Sequence, residues 1–510
     1  MSALLKHRGW LACCLLALAG LAATAQQTNP QATAPAATPK EKAQQQQQAE
    51  PWKAIPIPPL PAFHPKEPRR IELPNGMVIF LQEDHELPLI GGTATIRGGA
   101  RLEPANKTGM LDIYGEVWRT GGTSKRTGDE LDDFLEARAA KVETDDGQES
   151  TAISFSCLKQ DFTDVFAVFL EVLHDPAFRD DKIALAKREM DTSIARRNED
   201  SAQIAGREAV KLAYGRNNPY ARIAEYSTVA AVTRQDLVDW HQRFVHPNNI
   251  IFGVYGDFDA AQMEAQLRQA FGSWARGPQA EPPHIGFEPA KPGLYFAAKN
   301  DVNQSEIRMV GLGTEKNNPD YYAITVMNEV LGGGFSSRLF TNIRSKLGLA
   351  YSVGGGVGTG WDHPGITSFS MGTKSATTGE SIDALRKELT GLLTSPPTDV
   401  EINRAKDSIL NGFIFNFDTP AKVLAERMRY EFYGYPPDFL ERFRAGIEKV
   451  TRADVERVAH KYVHPEQLAI LVVGNANEVH DQLAKLGPVT TLDISIPPPA
   501  AQAGQKAGRE

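Results

Sequence analysis

Histidines four residues apart on a helix share one face and can close on a single metal ion, so they are the first residues to weigh for chemistry. Among the eleven histidines, His460 and His464 have that spacing. Pro465 follows His464 and turns it away from helix, so the pair reads as a helix end rather than a ligand pair. Asp84-His85-Glu86 lies between two strand-like runs with no third ligand near it, and reads as surface. Cys157 alternates within a strand pattern, the setting of a buried structural thiol more than of a nucleophile. No G-x-S-x-G elbow occurs.

The elements that must position any site are laid out by an internal repeat. Val232-Thr233-Arg234-Gln235-Asp236, then Phe244-Val245-His246-Pro247 and Val254-Tyr255-Gly256, recurs as Val450-Thr451-Arg452-Ala453-Asp454, Tyr462-Val463-His464-Pro465 and Val472-Val473-Gly474. From His246 to His464 the offset is 218 residues, without a gap. Each Thr suits a helix N-cap, each His-Pro ends the helix, and an apolar strand follows at 250–254 and 468–473. Gln242 occupies the place of His460 in the first copy, which again favours a structural role for the histidine.

The same offset predicts a second domain opening near residue 290, where the Pro-rich stretch 277–292 supplies a connection. Strands are expected at 77–82, 89–97, 152–158 and 366–371, and helices at 128–140, 180–198, 320–331 and 379–395. Strands and helices do not alternate one for one, which favours an α+β architecture. The expected fold is two homologous domains, 71–275 and 291–490, each a mainly antiparallel sheet covered by helices, joined by a linker at 276–290.

Composition narrows the class. With 41% hydrophobic and 23% charged residues the chain is an ordinary globular one, and 510 residues exceed what one core organises. Beyond the N-terminus no run approaches the ~20 apolar residues needed to cross a bilayer. A net charge of -8 offers no general positive field for nucleic acid. Residues 1–25 read as a secretory signal: Lys6 and Arg8 precede the apolar run 11–21, and Ala23-Thr24-Ala25 offers a cleavage site. Its removal leaves Cys157 alone and no integral membrane segment, and predicts a periplasmic or otherwise exported bacterial protein. The Gln/Ala/Pro-rich stretch 26–70 reads as a linker and 491–510 as a disordered tail.

Several strings resemble the pitrilysin/insulinase family of inverted-zincin metallopeptidases, which includes the mitochondrial processing peptidases. They are Gly98-Gly99-Ala100-Arg101-Leu102-Glu103, Lys107-Thr108-Gly109 and Gly122-Thr123-Ser124-Lys125-Arg126 in the first half. In the second they are 331–340, Ile343-Arg344 and Gly348-Leu349-Ala350-Tyr351-Ser352-Val353. Active members carry H-x-x-E-H, two zinc-binding imidazoles beside a general base, with a further Glu about 77 residues on. Counting from Gly109, Asp112 and Glu116 stand at the histidine positions, Gly115 at the general base and Ser193 at the distal ligand. All four are substituted, so this chain is not expected to build the family's zinc site. Asp112 and Glu116 remain carboxylates that would suit a hard cation, though a solvated helix face is the simpler reading.

The resemblance also implies an Arg and a Tyr on the second domain that complete the site across the chamber, matched by Arg344 and Tyr351. The Arg would hold the substrate backbone and the Tyr would support the oxyanion. Gly332 to Gly334 are expected to cap the preceding helix in a tight loop. The pattern resembles the non-catalytic subunit of a two-chain zinc endopeptidase, half of a four-domain clamshell. That implies no cofactor in this chain, zinc in the partner, a homologous partner subunit with intact H-x-x-E-H, and a peptide or unfolded polypeptide as substrate. Two other readings stay open: an inert peptide-binding or scaffold protein of the same fold, and an autonomous unconventional metallopeptidase.

Overall fold

The computed structural model describes residues 65–499. The expected signal at 1–25, most of the 26–70 linker and the last residues of the tail lie outside the described residues. Two six-stranded sheets organise the chain. The first contains β1 (Arg69–Glu72), β2 (Val78–Glu83), β3 (Leu89–Arg97), β4 (Lys141–Asp146), β5 (Ser150–Leu158) and β6 (Ile250–Gly256), in the order β1-β2-β6-β3-β5-β4. The second contains β7 (Gly293–Ala298), β8 (Gln304–Leu312), β10 (Ala350–Gly356), β12 (Ile366–Lys374), β13 (Ala469–Gly474) and β14 (Val489–Thr491), in the order β10-β12-β8-β13-β7-β14. β9 (Thr314–Glu315) and β11 (Thr359–Gly360) form a small parallel pair.

Read from opposite ends, the two orders correspond. β2, β6, β3, β5 and β4 have β7, β13, β8, β12 and β10 as counterparts, and each sheet joins its first pair in parallel. The remaining pairings of the shared strands are antiparallel, so the expected α+β class with two mainly antiparallel, helix-covered sheets is what the chain forms. The edges differ: β1 joins antiparallel from the N-terminal side, whereas β14 joins parallel from the C-terminal side.

Burial explains the two kinds of strand. β5 and β12 alternate because one face packs on helices and the other is more open. β6 and β13 are buried at nearly every position, matching their unbroken apolar sequences. Both are covered on two sides because the halves exchange helices. Named in chain order, the helices used below are α1 (Met110–Thr120), α2 (Asp180–Arg196), α3 (Ser201–Tyr214), α4 (Arg234–Phe244), α5 (Tyr321–Asn328), α6 (Pro420–Tyr433) and α7 (Arg452–Tyr462). Ile204, Ala205 and Ala213 of α3 pack on Val310, Leu471 and Val473 of the second sheet. Leu424, Met428 and Phe432 of α6 pack on Phe80 and Ile251 of the first. The two helices are themselves related by the repeat, since Pro420 lies within one residue of the 218-residue image of Ser201.

The repeat's caps form in duplicate. Thr233 accepts from the Asp236 backbone N–H at the start of α4, and Thr451 from that of Asp454 at the start of α7, each within a reciprocal capping box. Some boundaries depart from expectation. The helix expected over 128–140 ends at Glu136, because Ala139 adopts φ 48° and turns the chain into β4. The helix expected over 320–331 is α5 followed by a π-helical turn, Glu329–Gly333. Glycine is required at 332 by the backbone of Gly355 in β10, which lies against it, rather than by a left-handed cap. The expected linker gives way to β1 at Arg69. The expected tail is ordered at its start: Thr491 belongs to β14, Leu492 donates to Phe296 O at 2.7 Å, and Ile494 and Ile496 pack on the cores.

Candidate functional site

Helix α1 carries Asp112, Gly115 and Glu116, the residues that the resemblance sets against the family's metal ligands and general base. Its N-terminus is held by the buried Glu103, whose carboxylate accepts from Gly109 N at 3.1 Å and Leu111 N at 3.2 Å. Burial outweighs those bonds and pushes this carboxyl up to about 7. The inward face is tied to the core by Tyr114, whose hydroxyl lies 2.9 Å from Nδ1 of His241. Burial pushes His241 down to about 3, so the ring is neutral and accepts this proton.

The outward face presents Asp112 and Glu116, both exposed. Between them Gly115 allows β4 to press against the helix. The Thr144 hydroxyl donates to Gly115 O at 2.6 Å, and a Cβ placed on Gly115 would stand 2.5 Å from Asp146 Oδ1. Asp146 therefore fills the space that a side chain at the general-base position would enter. Burial, and next the neighbouring Asp112, push the Asp146 carboxyl up to about 6. Asp112 is raised as well, by partial burial of its carboxyl, although the residue as a whole is exposed. Ser193 lies exposed on α2.

These residues do not fit a zinc ion. No imidazole stands at 112 or 116, and the base position is taken by packing. Among the described residues, neither Asp112 nor Glu116 belongs to a set of three His, Cys, Asp or Glu side chains whose ligand atoms approach one another within 4.8 Å. Cys157 is likewise inert: it is buried, points Sγ at Ile90 O at 3.7 Å, and burial pushes its thiol up to about 12. His464 caps its own helix end, with Nε2 3.1 Å from Lys461 O.

The second half brings Arg344 and Tyr351 together. Arg344 belongs to a π-helical segment, Phe340–Lys346, and its guanidinium carbon lies 4.6 Å from the Phe340 ring centre and 4.9 Å from that of Tyr351. Tyr351 sits where the pairing of β10 with β12 slips between Ala350 and Ser352, an irregularity that re-aims a side chain. It is 84% exposed. Among the described residues neither side chain has a hydrogen bond or ion pair, so a guanidinium and a phenol are held by ring contacts with their donors free. Phe335, 81% exposed, packs edge-on against Phe340 at 4.9 Å.

A further group escaped sequence reasoning. Glu149, at the β4–β5 turn, meets Asp362 and His363 of the loop after β11, with one ligand atom of each within 4.8 Å of the others. Residues over 200 positions apart carry no spacing signal, and adjacent Asp-His is unremarkable.

The region 93–226 matches the family model "Insulinase (Peptidase family M16)", and 231–409 matches "Peptidase M16 inactive domain". An uncharacterised zinc protease of Mycobacterium leprae is 25% identical over 404 residues, covering 78% of this chain and 89% of that protein. The non-peptidase homolog YmxG of Helicobacter pylori is 24% identical over 404 residues, 78% of this chain and 91% of its own. A crystal structure of a peptidase M16 inactive domain from Pseudomonas fluorescens aligns with a TM-score of 0.71 at 21% identity, over 80% of this chain and 98% of that one.

Proposed function

Since the chain belongs to the insulinase (M16) peptidase family as an inactive-type member, we propose that it serves as the substrate-supporting subunit of a two-chain zinc endopeptidase. The partner is a homologous subunit with intact H-x-x-E-H, which supplies the zinc. This chain contributes Arg344 and Tyr351, and the substrate is a peptide or unfolded polypeptide bound as an added strand. The assembly works outside the cytoplasm, a reading that rests on the N-terminal sequence alone.

One contrast supports this reading. At α1 carboxylates and a glycine stand where the resemblance implies imidazoles and a base, and Asp146 fills the space at Gly115, whereas the half-buried Arg344 and the exposed Tyr351 lie adjacent and, among the described residues, without polar partners. A guanidinium offers several donors to peptide carbonyls, and a phenol O–H is suited to stabilise a developing oxyanion. Neither group needs the metal to lie in its own chain.

The test is co-expression with a zinc-site homologue, followed by peptide hydrolysis by the purified pair. Tyr351→Phe is expected to lower kcat about 10²-fold, the range for one lost oxyanion donor, and Arg344→Ala to lower kcat/KM with a larger effect on KM. Equal rates for wild type and both variants would remove the trans-site role. Failure of any partner to co-purify would leave the inert peptide-binding or scaffold protein as the better description. Hydrolysis by this chain alone, with stoichiometric zinc, would point to an autonomous metallopeptidase.

A further inference from the structure

Arg101, buried in the turn after β3, donates to Asp362 Oδ2 at 2.7 Å and to the Tyr220 hydroxyl at 2.8 Å. The other oxygen of Asp362 lies 2.9 Å from His363 Nδ1. The His363 ring stacks on Tyr220 with centres 4.1 Å apart, and Tyr214 donates to Pro364 O at 2.6 Å. Asp362 and His363 are thus oriented from several sides before any ligand arrives. Glu149 closes the group from the first half. It is half-buried, its carboxylate accepts from its own backbone N–H and faces the charge of Arg101, and among the described residues it has no side-chain hydrogen bond or ion pair.

A half-buried carboxylate with no side-chain partner keeps lone pairs that a cation can take. Arg101 gives its hydrogen bonds to Asp362 and Tyr220 and reaches Glu149 through its charge only, and among the described residues no lysine bonds to Glu149. One imidazole and two carboxylates from three side chains make a donor set that first-row divalent ions accept, with a water completing four-coordination. The spacing agrees. Adjacent ligand atoms on a tetrahedral ion with ~2 Å bonds stand roughly 3.3 Å apart, and Asp362 Oδ1 and His363 Nδ1 need only separate slightly to admit one. Arg101 would then act behind the ligand, fixing Asp362 through its other oxygen as outer-shell partners commonly do.

We propose that Glu149, Asp362 and His363 hold a divalent cation of the zinc class that ties the first half of the chain to the second. The role is structural. The ligands come from both halves, so the ion binds only when the two are docked, and its binding free energy adds to the stability of that arrangement. The site lies on different residues from the α1 positions and does not depend on a partner chain.

The experiment uses the purified full chain, stripped of metal, with no partner present. ZnCl₂ is added in a calorimeter, bound metal is counted by elemental analysis, and unfolding is followed with and without the ion. One zinc per chain and a raised Tm are expected. Glu149→Gln and His363→Gln should each weaken zinc at least tenfold and abolish the Tm increase, while Asp112→Asn with Glu116→Gln should leave both unchanged. Glu149→Gln is the informative variant if His363→Gln does not fold, since the Glu149 side chain bonds to no other residue among those described. Absence of saturable zinc binding would overturn the proposal. So would zinc binding undiminished in Glu149→Gln, or lost instead in the Asp112/Glu116 variant.

Discussion

Gly115 illustrates how one residue decides what a helix can do. Its missing Cβ lets Asp146 and Thr144 of β4 close on α1, so Asp146 occupies the space that a larger side chain at 115 would need. Gly115→Glu is therefore expected to lower stability by about 1–3 kcal/mol through overpacking, and Asp146→Ala in the same chain to restore most of it. Thermal unfolding of the two single variants and the double variant measures that coupling; strictly additive effects would show that the two residues do not compete for the space. Glu103 sets a pH dependence. Its carboxyl is raised from 4.5 to about 7 in the folded chain, so the folded state holds the extra proton. The associated stability is complete below the unfolded value and is lost as pH rises through 7. A shift of that size is on the order of 3 kcal/mol. Glu103→Gln should flatten the slope of Tm between pH 4.5 and about 7, the range spanned by the two values, and an unchanged slope would place the titration elsewhere.

Among elements, the exchanged helices α3 and α6 carry the most consequence. Each is amphipathic, yet the surface it covers belongs to the other half's sheet, and this makes β6 and β13 buried on both faces. Removing apolar mass from α6 should therefore be felt in the first sheet. Leu424→Ala is expected to destabilise by about 2–4 kcal/mol, with both halves melting in one transition. A second transition assigned to the first half alone would show that α6 is a loosely attached cover. The bulge in β10 and the π-helical segment before it work at the same scale: they set the orientation of Tyr351 and Arg344 by irregularities in otherwise regular elements. Such irregularities do not alter hydrophobic periodicity and so leave no mark in it.

For the whole molecule, the repeat yields a pair of similar halves whose functional equipment has diverged. The first half carries Asp112, Gly115 and Glu116 on α1, with Asp146 packed against the glycine. The second holds the half-buried Arg344 beside the exposed Tyr351, and among the described residues neither has a hydrogen bond or ion pair. The co-expression experiment belongs to this scale, because the proposed chemistry exists only when a second chain supplies zinc. The cation at Glu149, Asp362 and His363 belongs here too, since its ligands converge only when the halves dock.

Local and periodic information was legible without coordinates. The capped helices α4 and α7, the apolar strands after them and the offset of 218 all follow from neighbouring residues, whose side-chain types and spacing suffice. Short-range physics also placed β3 correctly to the residue. What the tertiary structure decided is every contact between residues far apart in sequence. It set which sheet α3 and α6 would cover, the filling of the Gly115 gap by Asp146, the stacking of Arg344 on Tyr351, and the meeting of Glu149 with Asp362 and His363. Those contacts depend on loop closure and packing across the whole chain, and no local pattern of charge or hydrophobicity encodes them.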